Sequence, residues 1–289
     1  MPELPEVHTI SQDLRKNIVG YEIKGIQISK YYKLPSNIQS DLKKIVGEKI
    51  QDVDRIAKNI VIKISNNSYL VFHLAMTGRI LLRELSHKSD DWVKVVVEIQ
   101  KGKQISHLKF ADMRQFGKVF VTNKTGLQKL TEKYGLDTLD KSVTPKNFLK
   151  ALKSKRTNIK NVLMDQTTVS GIGNIYVTDA LFLAGINPLL PTQNMTLEIA
   201  EKLLKSIREV LTEGIKNRGS TLPDKMYVDI FGKSGSQQNH FKVYLKNKCT
   251  NCGSAIKFIK INGRGTYFCP TCQPLEISKN TNPNQKKLL

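Results

Sequence analysis

Four cysteines near the carboxyl end of the chain constrain its fold more than any other feature. They are Cys249, Cys252, Cys269 and Cys272, and they form the pattern C-x2-C-x16-C-x2-C. Two such pairs can hold a tetrahedral zinc ion in a ribbon of β-hairpins, whereas disulfide bonds or a redox pair are the alternatives. A site of four thiolates leaves no coordination position open, so we predict one structural zinc ion.

The chain is strongly basic. It contains 46 Lys and Arg against 25 Asp and Glu among 289 residues, a net charge of +21. This balance favours a polyanionic partner, with nucleic acid ahead of an acidic membrane surface or a general effect on solubility. Because neither a transmembrane segment nor a signal peptide is visible, we expect an intracellular protein, in the cytoplasm or nucleoid, with reduced cysteines.

The spacing of apolar residues predicts an α+β chain. Pro5 and the apolar residues after it predict a helix over residues 4–19. Short β-rich runs separated by turns recur over residues 21–122, which indicates an antiparallel sandwich or barrel. Residues 145–217 have a helical pattern, and residues 219–242, rich in Gly, Ser and Gln, predict a mobile loop.

Two helix starts are specific enough to assign. Thr144 followed by Pro145 is typical of an N-cap and a first helical position, and Thr196 is the predicted cap of the clearest helix. The stretch SGIGNIYVTDALF is a glycine-rich turn that leads into a helix, where Asn174 could reach a phosphate. An ordinary capping turn is the alternative for that stretch.

The opening MPELPE has a chemical interpretation. Removal of Met1 is expected before a small residue and leaves Pro2 with a secondary amine. Since an α-amino group has a pKa of about 8, part of it is neutral and can attack a sugar C1′ to form a Schiff base. Glu3 could then move protons and Glu6 could orient nearby groups. The alternative is a helix start with favourable acidic residues.

Several basic and apolar side chains are candidates for DNA contact, and each also has an ordinary structural explanation as a core or surface residue. Met76, Arg114 and Phe116 are the residue types that fill a gap in a DNA stack, and Arg264 at a hairpin tip can enter a groove. Lys155 and Lys160, near the glycine-rich turn, could meet a DNA backbone or form a solvated face. Lys58 precedes a strand, and taken alone it would be a surface lysine.

Taken together and in order, these motifs resemble the formamidopyrimidine-DNA glycosylase (Fpg) family. The motifs are MPELPE, the AK of RIAKN, HLAMTG, DMRQFG, IKNVLMDQ, GIGNIY and the four-cysteine ribbon, from residue 1 to about Gln273. The resemblance implies an N-terminal helix with an antiparallel β-sandwich, followed by a helical domain with a helix–two-turns–helix motif and a C4 zinc ribbon. The implied domains are 1–135 (catalytic), 136–144 (linker), 145–242 (helical, with the lesion loop), 243–273 (zinc finger) and 274–289 (disordered tail).

The resemblance also implies a function in base excision repair. The expected activity combines a DNA glycosylase for oxidised purines, such as 8-oxoguanine and formamidopyrimidines, with an AP lyase that acts by β,δ-elimination on double-stranded DNA. By the match, Pro2 is the nucleophile, Glu3 the acid/base and Glu6 a supporting residue. Lys58 contacts phosphate near the lesion. The remaining implied DNA contacts are Met76, Arg114, Phe116, Lys155, Lys160, Asn174 and Arg264.

Some positions depart from the family pattern. Ala75 replaces a usual glycine, and Gln115 stands where many members have a second arginine. A glycosylase of the same fold that prefers oxidised pyrimidines is therefore an alternative, and a non-catalytic zinc-ribbon DNA-binding protein is another. We expect a monomer that does not bind membranes.

Overall fold

The computed structural model of the protein describes residues 2–87 and 89–275. Its helices are α1 (Leu4–Ile18), α2 (Ser36–Lys43), α3 (Lys124–Glu132), α4 (Pro145–Lys153), α5 (Ile159–Met164), α6 (Asn174–Leu183) and α7 (Leu197–Lys216). Its strands are β1 (Glu22–Ile28), β2 (Ile50–Ile56), β3 (Asn59–Ile64), β4 (Tyr69–His73), β5 (Gly78–Glu84), β6 (Val93–Lys101), β7 (Gln104–Asp112), β8 (Lys118–Thr122), β9 (Leu136–Asp137), β10 (Val169–Ser170), β11 (Lys257–Ile261) and β12 (Arg264–Phe268). The predicted disordered tail, apart from Pro274 and Leu275, lies outside the described residues.

The chain divides into two compact units that are each discontinuous in sequence. The first comprises the residues up to Tyr134 together with Thr212–His240, and the second comprises Gly135–Leu211 together with the residues from Phe241 onward. The domain boundaries expected from the sequence stay a prediction.

The described part of the first unit contains two four-stranded antiparallel sheets. Their strand orders are β1-β6-β7-β5 and β2-β3-β4-β8. Phe72 on β4 and Phe110 on β7 pack with ring centroids 5.7 Å apart, so side chains of the two sheets meet in one core. The predicted antiparallel sandwich is confirmed. The sequence analysis did not single out β2, β5 and β7, in which charged residues interrupt the apolar pattern.

Helix α1 packs its apolar stripe into the same core. Val7, Ile10, Leu14 and Ile18 are all fully buried, at the spacing of one helical face. Pro5 lies in the first turn, where its fixed φ and missing N–H cost the helix nothing. The helix expected over residues 4–19 is therefore present and holds the amino end of the chain against the sandwich.

The segment after α7 returns to the first unit. The backbone N–H of Leu82 on β5 donates to the carbonyl of Ile230 at 2.8 Å. The side chains of Tyr227 and Ile230 are buried in the core cluster of this unit. Residues 219–240 therefore have fixed attachment points, while the mobility expected of this loop stays a prediction.

The second unit contains the helical part and the cysteine-bearing hairpin. Thr144 caps α4 by accepting from the amide of Asn147 at 3.4 Å, and Thr196 caps α7 by accepting from that of Ile199 at 3.2 Å, which confirms both predicted caps. Turns between α5 and α6 give the helix–two-turns–helix arrangement. Leu136 and Asp137 form β9 and pair with β10, while the linker expected over residues 136–144 stays a prediction.

A buried carboxylate fixes the chain that leads into the ribbon. Asp179 on α6 is 2% exposed and accepts from the backbone amides of Lys242, Val243 and Tyr244 at 2.9–3.0 Å. Beyond it, β11 and β12 form a hairpin with a two-residue turn, Asn262 and Gly263, and both of these residues have positive φ. This is the geometry of a type I′ turn, for which Asn-Gly is the preferred sequence.

Among the described residues, no helix combines the length and the apolar character needed to cross a membrane.

Candidate functional site

A carboxylate at the start of α1 holds two distant parts of the first unit together. Glu6 accepts from the backbone N–H of Glu3 at 2.8 Å and from that of Ser220 at 2.7 Å. Glu3 and Glu6 are 1% and 2% exposed, and Pro2 is buried next to them in sequence. The structure therefore brings together the three residues expected to carry the chemistry.

Gly219 makes this arrangement possible. Its φ is +80°, and a Cβ atom there would lie 2.7 Å from Cγ of Glu6 and 2.9 Å from Cε1 of Tyr227. Any other residue would push the Ser220 amide away from the carboxylate, since both the conformation and the space favour glycine.

Three cationic or ionisable side chains meet at one edge of the second sheet. Lys58 lies in the turn before β3, His73 ends β4 and Lys118 begins β8. The strand register places Asn59 opposite His73 and His73 opposite Lys118. Sequence reasoning named Lys58 and missed the other two, although His73 is the first letter of HLAMTG and Lys118 follows DMRQFG.

The His73 ring is held as a neutral imidazole. Its Nδ1 lies 3.2 Å from Oδ1 of Asn59. Burial, followed by the positive charges of Lys58 and Lys118, lowers the pKa of His73 below its ordinary value of 6.5. At neutral pH this edge therefore offers two ammonium groups with a neutral ring between them in sheet order.

Two loops of the first unit expose apolar side chains next to an arginine. Met76 is 39% exposed, Met113 42% and Phe116 55%, which is unusual for side chains of this size. The guanidinium carbon of Arg114 lies 5.0 Å from the centroid of the Phe116 ring. The sequence analysis missed Met113. Apolar wedges beside an arginine suit insertion into a DNA base stack.

Asp112 organises both loops. It is 1% exposed and accepts from Oγ1 of Thr77 at 2.5 Å, from the amide of Gly117 at 2.7 Å and from that of Arg114 at 3.2 Å. Oγ1 of Thr77 in turn accepts from the Arg114 amide at 3.1 Å. The loop that carries Met76 and the loop that carries Arg114 are thus positioned by one buried carboxylate.

In the second unit, two predicted residues fasten the zinc-ribbon hairpin to the helices. Asn174, the first residue of α6, donates from Nδ2 to the carbonyl of Gly265 at 3.0 Å. Lys160 donates to Oγ1 of Thr266 at 2.7 Å and to Oγ1 of Thr178 at 3.1 Å. Because Lys160 is only 1% exposed, its burial argues against the direct DNA contact expected for it.

Arg264 and Lys155 are accessible. Arg264 is exposed at the hairpin turn and lines a shallow pocket together with Asp165 and Asn262. Lys155 forms an ion pair with Asp165 and donates to Oγ1 of Thr167 at 3.3 Å. Asp165 therefore pairs with one of these basic side chains and lines a pocket with the other.

The four cysteines converge on one point. Their Sγ atoms all lie within 4.8 Å of one another, with Cys249 and Cys272 3.7 Å apart and Cys252 and Cys269 3.5 Å apart. Zn–S bonds of about 2.3 Å in a tetrahedron require S···S distances of about 3.8 Å. The donor set and spacing suit one structural zinc ion, as predicted.

Comparison with known proteins accounts for most of the chain. The family model described as "Formamidopyrimidine-DNA glycosylase N-terminal domain" matches residues 1–119, the "Formamidopyrimidine-DNA glycosylase H2TH domain" matches residues 134–225, and the "Zinc finger found in FPG and IleRS" matches residues 246–275. A formamidopyrimidine-DNA glycosylase of Chloroflexus aurantiacus is 36% identical over 276 residues, which cover 94% of this chain and 98% of the relative. The chain belongs to the formamidopyrimidine-DNA glycosylase family.

Solved structures support the same assignment. The Lactococcus lactis Fpg in complex with DNA containing an abasic site is similar with a TM-score of 0.85 and 33% identity, over 94% of this chain and 99% of that one. A complex of the L. lactis enzyme with DNA containing Fapy-dG is similar with a TM-score of 0.82 and 32% identity, over 94% of this chain and 100% of that one. The expected Fpg fold is thereby confirmed.

Both positions that depart from the Fpg pattern in the loops have a left-handed backbone, and only at Ala75, which replaces a glycine, does the departure itself add a Cβ penalty. Ala75 has φ +49° and Gln115 has φ +57°, in the left-handed region that favours glycine. The neighbouring contacts to Asp112 hold these conformations in place, so the two residues store strain beside Met76 and Arg114.

We predict that Ala75→Gly raises the free energy of unfolding by about 1 kcal/mol, because glycine adopts a left-handed conformation without a Cβ penalty. Urea denaturation of the two proteins measures the difference. Ala57→Gly, at φ +51° in a different turn, is the matched control for the backbone effect. A loss of stability in Ala75→Gly would contradict the strained conformation.

We also predict that an NMR titration of the His73 ring gives a pKa below 6.5, for the reasons of burial and charge given above. In Lys118→Met the pKa is expected to rise, because one of the repelling charges is gone. A His73 pKa at or above 6.5 would be inconsistent with this environment.

Proposed function

We propose that the protein is a bifunctional formamidopyrimidine-DNA glycosylase and AP lyase that removes oxidised purines from double-stranded DNA. The observation that carries the proposal is the buried Glu3–Glu6 pair directly after Pro2, with Glu6 held by two backbone amides. Its relatives are named formamidopyrimidine-DNA glycosylase, and the similar L. lactis structures hold DNA with an abasic site or Fapy-dG. We expect it to act as a monomer in the nucleoid.

The proposed chemistry begins once Met1 has been removed. The lone pair of the Pro2 nitrogen attacks C1′ of the damaged nucleotide, the glycosidic bond breaks and the purine leaves with a proton. Opening of the sugar ring, with protonation of its oxygen by Glu3, leaves an iminium between Pro2 and C1′. Loss of a proton from C2′ then expels the 3′ phosphate, and a second elimination expels the 5′ phosphate. Water then hydrolyses the iminium, which releases the sugar fragment as an aldehyde and frees Pro2.

Each of the two units contributes its own set of DNA contacts. In the first unit, Met76, Arg114 and Phe116 fill the gap left by the extruded nucleotide, since its sugar carbon cannot be reached inside the stack. Lys58, beside His73, meets a phosphate near the lesion.

In the second unit, Asn174, Arg264 and Lys155 meet phosphates that flank the lesion. For Lys160 we propose a positioning role, because its ammonium group is buried against Thr178 and Thr266. Phosphate contacts of this kind make binding fall steeply with salt.

We predict that borohydride traps a covalent complex of untagged protein with a duplex that carries 8-oxoguanine opposite cytosine. In Pro2→Gly, or with a tag left on the amino end, the adduct is expected to be lost, because the secondary amine is changed or blocked. The readout is the shifted band on a denaturing gel. Lys30→Met, which changes an exposed lysine on a different loop, controls for general loss of charge.

Trapping by the blocked protein at the rate of the free one would overturn the role of Pro2. A signal confined to oxidised pyrimidines would move the chain to the alternative lesion class. Tight DNA binding without trapping on any substrate would favour the non-catalytic protein.

Zinc removal provides a separate prediction. Chelation of zinc, or Cys249→Ser, is expected to weaken DNA binding by about tenfold, because the hairpin that carries Arg264 loses the cross-link that folds it. At saturating protein, trapping on an abasic duplex should persist. The measurements are fluorescence anisotropy with labelled DNA and a zinc assay on the same sample. Unchanged affinity after demonstrated zinc loss would mean that the ribbon is dispensable for binding.

A further inference from the structure

Arg218 occupies a backbone position that is unfavourable for it. Its φ is +59°, directly before Gly219 and just past the end of α7. A left-handed conformation is unfavourable for a residue with a Cβ, because the Cβ comes too close to the following carbonyl oxygen. An arginine at such a position needs a side-chain contact that offsets this cost.

The contact is a pair of ion bridges within the first unit. Nη2 of Arg218 lies 2.5 Å from Oδ2 of Asp13 on α1 and 2.7 Å from Oδ2 of Asp229 in the segment after α7. Nη1 adds a hydrogen bond to Oδ1 of Asp13 at 3.3 Å. The carboxylates are largely buried, with side chains 12% and 4% exposed, so removing the guanidinium would leave two desolvated negative charges.

These bridges act on the backbone that reaches Glu6. The carbonyl of Arg218 accepts from the buried hydroxyl of Tyr227 at 2.8 Å. Two residues later, the amide of Ser220 donates to Glu6. Two features thus set the position of that amide. Gly219 lies close against Glu6, and Arg218 is held by its side-chain ion bridges and by the hydrogen bond to its carbonyl.

Other attachments of the segment lie farther along it. Arg79 donates to the carbonyls of Lys225 and Met226, and Arg83 donates to that of Ile230. These bonds fix the later part of the segment against β5. Among the described residues, Arg218 is the cation that pairs with both α1 and this segment.

We propose that Arg218, together with Asp13 and Asp229, is a positioning residue for the glycosylase and lyase chemistry: the triad holds the Ser220 amide on Glu6 and so fixes the carboxylate at the start of α1. This inference rests on the proposed function, in which Glu6 supports the Pro2 nucleophile. Arg218 acts through Glu6 and does not contact the substrate.

The test uses Arg218→Gln, Asp13→Asn and the double variant in the full chain. Each single variant is expected to slow single-turnover trapping on an abasic duplex by about tenfold at saturating protein, since small displacements of catalytic groups are costly. The double variant should be no slower than the worse single one, because both changes break the same link. Affinity for the duplex and its salt dependence should not change.

The controls separate positioning from stability and from charge. Arg15→Gln removes an arginine from α1 that pairs with Asp52 at the surface and should leave the rate unchanged. Arg218→Lys keeps the positive charge but cannot bridge both carboxylates in the same way, so an intermediate rate is expected. This variant also covers the case in which Arg218→Gln fails to fold. Hydrogen exchange of the peptide that contains Ser220 should be faster in Arg218→Gln.

Wild-type rates in folded Arg218→Gln or Arg218→Lys would overturn the inference. Weaker, less salt-dependent binding with an unchanged saturating rate would overturn it too, and would make Arg218 a phosphate contact. If the unmodified protein traps no substrate at all, the proposed function itself has failed, and the exchange measurement alone then decides whether Arg218 holds the Ser220 amide.

Discussion

The Glu6 carboxylate is the point on which the candidate active site depends. It takes one hydrogen bond from its own helix start and another from an amide 214 residues later in the chain. A buried carboxylate without such donors would lose a large part of its solvation free energy. The two hydrogen bonds to Glu6 therefore fix the start of α1 and attach the segment after α7 to it.

A second buried acid plays the same part for the apolar loops. Asp112 replaces solvent with three fixed donors and so orders two exposed loops without burying their side chains. Met76 and Phe116 expose apolar surface to water, which is costly, and their exposure fits the insertion into a base stack that we propose for them. Glu6 and Asp112 each hold backbone groups rigidly behind the side chains that we propose contact DNA.

Sequence patterns predicted the parts of this chain that depend on local chemistry. The helix at Pro5, the caps at Thr144 and Thr196 and the cysteine spacing follow from contacts within a few residues, or from metal geometry. The burial of Lys160 could not be predicted because its partner Thr266 is 106 residues away, and a lysine in a basic stretch gives no sign of burial. His73 and Lys118 escaped notice because only the strand register brings them beside Lys58. The link from Arg218 to Asp13 is likewise invisible without the fold.

The discontinuity of the first unit bears on how the protein is made. Tyr227 and Ile230 complete its core, and Ser220 completes the coordination of Glu6, yet all three belong to the stretch Thr212–His240. During synthesis part of the apolar surface of the sandwich therefore stays uncovered until residues 212–240 have left the ribosome. A nascent chain that stops before Thr212 would carry Glu3 and Glu6 without the Ser220 amide that donates to Glu6, so the candidate site would be incomplete.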